Sequence, residues 1–120
     1  MLSGMAIPEP VRSETIEAVE RFCENCVPAE LRDEMRVDYV VRGNAVTIRE
    51  LRPPWREEYG PEWSVNPCAQ LRFDPVTGLW ALYWPDRNSR WHVYPSVRPT
   101  HGVEWLLREI DLDPHGAFWG

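Results

Sequence analysis

The chain has 120 residues, 43% of them hydrophobic and 27% charged, with a net charge of −6. That length fits one domain around a single core, and the composition is neither that of a disordered chain nor that of a membrane protein. The acidic balance argues against a generic binder of phosphate backbones, which carries a basic excess, although it leaves room for a local basic patch. All thirteen basic residues are arginine. A GC-rich coding sequence would produce that, as would selection for the bidentate and stacking contacts that arginine makes better than lysine. Three cysteines are an odd, low count for a disulfide framework. The N-terminal MLSGMAIPEP lacks the basic start and apolar run of a signal peptide, and no stretch approaches the ~18 apolar residues of a membrane span. A reducing cytoplasm and no membrane contact are the expectation.

Residues 1–12 read as a flexible N-terminal arm with no periodicity. Ser13 is an N-cap candidate, and Ile16, Val19, Cys23 and Cys26 recur at spacings of three and four, which predicts a helix over 14–26. Pro28 ends it and opens a short helical turn to Met35. Gly43-Asn44 lies between two β-rich runs and predicts a two-residue hairpin over 36–51. That turn places Val41 opposite Val46, Tyr39 opposite Ile48 and Val37 opposite Glu50. Asp38 faces Arg49 on the other side. Glu50 ends the apolar face, either as a wet carboxylate or as one held by an arginine such as Arg52.

Four prolines between Leu51 and Pro67 argue against a regular element there. Trp55, Tyr59 and Trp63 recur every four residues in this loop, either closing the core or forming a lid. Residues 69–94 read as a three-stranded meander with turns at Asp74–Gly78 and at 86–89. Taking four-residue loops at both turns, one face carries Ala69, Leu71, Phe73, Trp80, Leu82, Trp84, Trp91 and Val93 and forms the core. The opposite face carries Gln70, Arg72, Ala81, Tyr83, Arg90, His92 and Tyr94, a semi-polar aromatic surface suited to a covering segment or a ligand. Thr100 is expected to cap a last helix with its stripe at Val103, Leu106, Leu107 and Ile110. Residues 114–120 form an aromatic tail that packs back on its own domain or inserts into a neighbour.

These runs together predict an α+β fold. A hairpin and a three-stranded meander form one antiparallel sheet of about five strands, with N-terminal and C-terminal helices on one face, all within a single domain over 13–113. Several runs, VPAELRDEMRVDY, VVRGNAVTIRELRPPW and LRFDPVTGLWALYWPDRNSRWHVYP, resemble a bacterial family of short proteins described only as a domain of unknown function. The resemblance spans about residues 22–95. It implies a shared fold and a cytoplasmic location, and it carries over no functional residue.

No nucleophile elbow, P-loop or HExxH motif is present. Cys23-x-x-Cys26 lies at the C-terminal end of a predicted helix, where a low thiol pKa is not favoured. With Cys68 it reads as packed, inert thiols rather than a metal site, so no metal or cofactor is expected. The leading reading is a non-catalytic binding or assembly module. Its candidate partner-binding residues are Gln70, Arg72, Tyr83, Arg90, His92, Tyr94, Glu50, Arg52 and Trp55, and the partner is a protein or a second copy in a homodimer. Two alternatives stay open: single-stranded nucleic-acid binding through the sheet aromatics and arginines, and a small hydrolase using Glu50 and His92.

Overall fold

A computed structural model describes residues 6–120. Its elements are α1 (Val11–Cys26), β1 (Arg36–Arg42), β2 (Ala45–Arg52), β3 (Ser64–Asp74), β4 (Leu79–Pro85), β5 (Trp91–Val93) and α2 (Glu104–Leu112). Single 3-10 turns at Ala29–Leu31 and Glu57–Tyr59 interrupt the connections. The five strands form one antiparallel sheet in the order β1-β2-β3-β4-β5. Both helices pack on the sheet, and the core lies between them and its inner face. That core draws Ala18, Val19 and Cys23 from α1, Leu106, Leu107 and Ile110 from α2, and alternate residues from the strands. Among the described residues no helix is long and apolar enough to cross a membrane.

α1 begins at Val11, three residues earlier than its Ser13 cap candidate implied. The cap comes from upstream. Glu9 accepts hydrogen bonds from the Ser13 N–H (2.8 Å) and the Ser13 hydroxyl (2.7 Å to Oε2), which holds its carboxyl below the ordinary range. A carboxylate at a helix N-terminus also meets the positive end of the dipole. Ile7 is buried in the core, so the chain packs before the helix starts. Residues 1–5 of the N-terminal arm lie outside the described residues.

The β1–β2 hairpin has the register set by Gly43-Asn44, with Val41 opposite Val46, Tyr39 opposite Ile48 and Val37 opposite Glu50. Arg49 forks onto Asp38 at 2.8 and 2.7 Å. β3 starts at Ser64, well before the strand anticipated from Ala69, and it runs through Pro67. The register shifts between Ile48 and Arg49, and Cys68 is the extra residue of the bulge. A bulge leaves local ladder positions unpaired, and that is where a strand tolerates proline. The Asp74–Gly78 turn closes β3 onto β4 with Phe73 opposite Trp80 and Leu71 opposite Leu82. The Asp74 carboxylate accepts from the Val76 N–H at 2.9 Å, and Gly78 takes φ +72°.

The β4–β5 connection overturns the assumed register. Its loop has five residues, Asp86–Arg90, and it pairs Pro85 with Trp91, Trp84 with His92 and Tyr83 with Val93. Asp86 builds the loop: its Oδ1 accepts from the N–H groups of Asn88 (2.8 Å) and Arg90 (3.0 Å). Ser89 takes φ +62°, the left-handed conformation that lets the chain return. One extra loop residue swaps the two faces of β5. Val93 is therefore out in solvent at 60% exposure, while Tyr94 continues the inner row and is 3% exposed.

Thr100 does not cap α2. Its backbone exchanges hydrogen bonds with Trp80, at 2.6 and 2.9 Å, so residues near 100 extend the β5 edge along β4. The stripe Val103, Leu106, Leu107 and Ile110 is buried as its spacing required. The aromatic tail packs back. Asp113 turns left-handed at φ +41°, and its carboxylate accepts from the Phe118 and Trp119 N–H groups at 3.1 and 2.9 Å. The Trp119 indole donates to the Ile110 carbonyl at 2.8 Å, and Phe118 enters the core.

Candidate functional site

The outer face of the sheet, opposite the helices, is reached by the alternate strand residues. Strand pairing aligns Val40, Thr47, Gln70, Tyr83 and Val93 in one row across all five strands. Beside it run Arg42, Ala45, Arg72 and Ala81. The two rows are tied together. Gln70 donates to the Thr47 hydroxyl at 2.9 Å and accepts from Arg72 Nε at 2.6 Å, and the Arg72 guanidinium lies 3.9 Å from the Tyr83 ring centroid. A stacked guanidinium with one N–H already engaged is held flat against the sheet. Small Ala45 and Ala81 flank it, and an open recess of about 380 Å³ lies at the turn end, bounded by Asn44, Arg72, Leu79, Ala81, Tyr83 and Pro99.

The charge of this face runs opposite to that of the molecule. Its strand positions hold Arg36, Arg42, Arg49 and Arg72 against Asp38 and Asp74, a positive excess on a chain of net charge −6. No glutamate faces this side, because the one strand glutamate, Glu50, points to the inner face. The acidic residues concentrate instead on the helices and loops: Glu14, Glu17, Glu20 and Glu24 on α1, and Glu104, Glu109 and Asp111 on α2.

Of the residues singled out from the sequence, Gln70, Arg72 and Tyr83 come together on this face. The others fall in three separate places. His92 and Tyr94 are corrected to the inner side of β5 by the five-residue loop. His92 sits at the sheet margin, stacked on Trp84 (5.0 Å) and bonded to Asp86 at 2.7 Å. That bond, with those from the Arg90 and Asn88 N–H groups, pulls the Asp86 carboxyl down to about 2. Tyr94 is buried and donates to Glu109 at 2.8 Å; burial first, then that bond, raises its phenol pKa. Arg90 is exposed in the loop rather than on a strand.

Glu50 and Arg52 pair at 2.9 Å at the far end of β2, beside a recess of about 360 Å³ shared with Cys26 and Asp111. β3 and β4 separate Glu50 from His92, which at ~4.8 Å per strand puts them at least roughly 14 Å apart. The two do not form one acid–base site. Trp55 is 76% exposed on the loop after β2, with Arg56 over its ring at 4.4 Å and Tyr59 5.9 Å away.

The three cysteines are free thiols, and no group of three His, Cys, Asp or Glu placed to hold a metal ion occurs among the described residues. Burial, before any charge effect, pushes Cys23 and Cys26 up to about 12 and Cys68 up to about 11, so the thiolate that would react or ligate is disfavoured. Sequence reasoning passed over Thr47, Asp86 and Glu109. Thr47 was recoverable from the hairpin register, since it follows Val46 on the opposite face. Asp86 was recoverable as an Asx residue opening a polar loop, Asp-Arg-Asn-Ser. Glu109 carried no local signal.

No curated protein and no solved structure matches the chain. The model of one family does, over residues 7–120, and so includes both helices and the tail beyond the span where the motifs lie. The protein belongs to the family described as a domain of unknown function, DUF3024.

Proposed function

We propose that the protein is a non-catalytic binding module and that the helix-free face of its sheet is the surface it offers to a protein partner. The observation that carries the reading is the make-up of that face. Four strand arginines and the Tyr83 ring lie there, no strand glutamate does, and exposed Val40 and Val93 end the central row. Arginine and tyrosine dominate binding energy at protein interfaces, whereas lysine and glutamate are depleted there. The positive excess selects a partner whose own patch is acidic around an apolar centre. It also disfavours two copies meeting face to face, because their arginines would oppose one another.

Three unbridged thiols suit a reducing compartment, and we place the module in the cytoplasm on that ground. Single-stranded nucleic acid is the second reading. It is supported by the Arg72–Tyr83 stack and opposed by the net charge.

The test is capture from an extract of the source cells on immobilised protein, with and without nuclease. Wild-type protein is expected to retain a protein partner after nuclease treatment. The double variant Arg72→Ala, Tyr83→Ala should lose it while keeping its fold, and Trp105→Ala on α2 should keep it. Equal capture by the wild type and the double variant contradicts the reading. Loss of all binding with nuclease transfers the face to nucleic acid.

A further inference from the structure

The two edges of the sheet are finished differently. β5 is three residues long, and Pro95 and Pro99 follow it. The chain then returns at Thr100 to bond Trp80 in both directions. That edge is short and followed by prolines, two of the devices that blunt exposed strand edges. β1 is seven residues long, holds neither proline nor glycine, and pairs with β2 along its whole length without a bulge.

The hairpin turn also decides which of its backbone groups are free. A two-residue loop makes Arg42 and Ala45 the hydrogen-bonded closing pair. Arg36, Asp38, Val40 and Arg42 therefore bond to β2, and the N–H and C=O groups of Val37, Tyr39 and Val41 point away from the sheet. No hydrogen bond among the described residues occupies them.

We propose that β1 is the seam of a symmetric dimer, in which it pairs antiparallel with β1 of a second copy about a two-fold axis at Val40. The charges along the strand select that register. Centring on Tyr39 sets Arg36 against Arg42 of the other copy twice, and centring on Asp38 sets two carboxylates face to face. Centring on Val40 sets Asp38 against Arg42 twice, Tyr39 against Val41, and Val40 against itself, with the free backbone groups in hydrogen-bonding phase. The two sheets become one of ten strands, with both helix-free faces on the same side. The seam does not depend on what those faces bind.

Sedimentation at micromolar concentration tests the seam. The expected mass is twice 14.1 kDa. Val40→Arg places like charges on the axis and should give a monomer with unchanged circular dichroism. Arg42→Asp should raise the dissociation constant roughly tenfold or more. A cross-link keeps the proposal testable if Val40→Arg does not fold. Residue 40 meets its own copy as a non-bonded antiparallel pair with Cα atoms about 4.5 Å apart, within disulfide reach. Val40→Cys should therefore oxidise rapidly to a covalent dimer, and Val93→Cys on the short β5 edge should not. A monomeric wild type, a dimer that persists in Val40→Arg, or equal cross-linking at positions 40 and 93 each overturns the seam.

Discussion

On the inner face of the sheet, the row Val41–Val46–Leu71–Leu82–Tyr94 lies under the helices, and its middle members are fully buried. One residue along each strand, the row Val40–Thr47–Gln70–Tyr83–Val93 carries an amide, a hydroxyl and a phenol, and both of its ends are exposed. The same strands build both rows, so the difference comes from side-chain parity alone. It teaches that what holds this fold together and what is free to meet another molecule are separable position by position. Neighbouring residues of one strand can be assigned to opposite tasks.

The largest expected effect is on the inner face. Leu71→Ala removes a fully buried side chain between Val46 and Leu82, and should cost about 2–5 kcal/mol of unfolding free energy. Its outer neighbour Arg72→Ala should cost less than about 1 kcal/mol, because it gives up a surface stack and one side-chain bond. Urea unfolding of the two variants checks the contrast.

A smaller effect sharpens the comparison at β5, where the inner and outer rows are set by a single loop. Asp86 has its carboxyl depressed from 3.8 to about 2 by His92 and the loop N–H groups. A depressed carboxyl stabilises the fold above its unfolded pKa, and that contribution fades as pH falls through the folded one. Asp86→Asn should therefore differ from wild type by a constant amount above pH 3.8, and the gap should close towards pH 2. A gap that stays level across that window removes Asp86 as the residue that fixes the loop.

Much of the architecture was legible because short-range chemistry governed it. Gly43-Asn44 set the first hairpin, Asp74–Gly78 set the next pair, and the spacing of α2 gave its buried stripe, whereas in α1 only Val19 and Cys23 of the expected stripe are buried and Thr15 and Ala18 stand where Ile16 and Cys26 were expected. What escaped depended on chemistry a linear pattern does not weigh. Pro67 reads as a strand breaker, yet it sits at a bulge where no donor is needed. Arg90 reads as the first residue of β5, yet Asp86 draws it into the loop and so moves His92 and Tyr94 to the other face. On the candidate site, Gln70, Arg72 and Tyr83 were legible because their register rests on the Asp74–Gly78 turn. Thr47 was left out because the two hairpins were read separately, and only their pairing through β2 and β3 brings it to Gln70.

The central claim, that the inner face carries stability and the outer face is free, is tested most directly by two tyrosines on neighbouring strands. Tyr94→Ala empties a core site and breaks the bond to Glu109, whereas Tyr83→Ala trims an outer, partly exposed ring stacked on Arg72. Unfolding free energies measured side by side should show Tyr94→Ala losing about 3 kcal/mol or more and Tyr83→Ala less than about 1 kcal/mol. Equal losses, or the larger loss at Tyr83, would contradict the account.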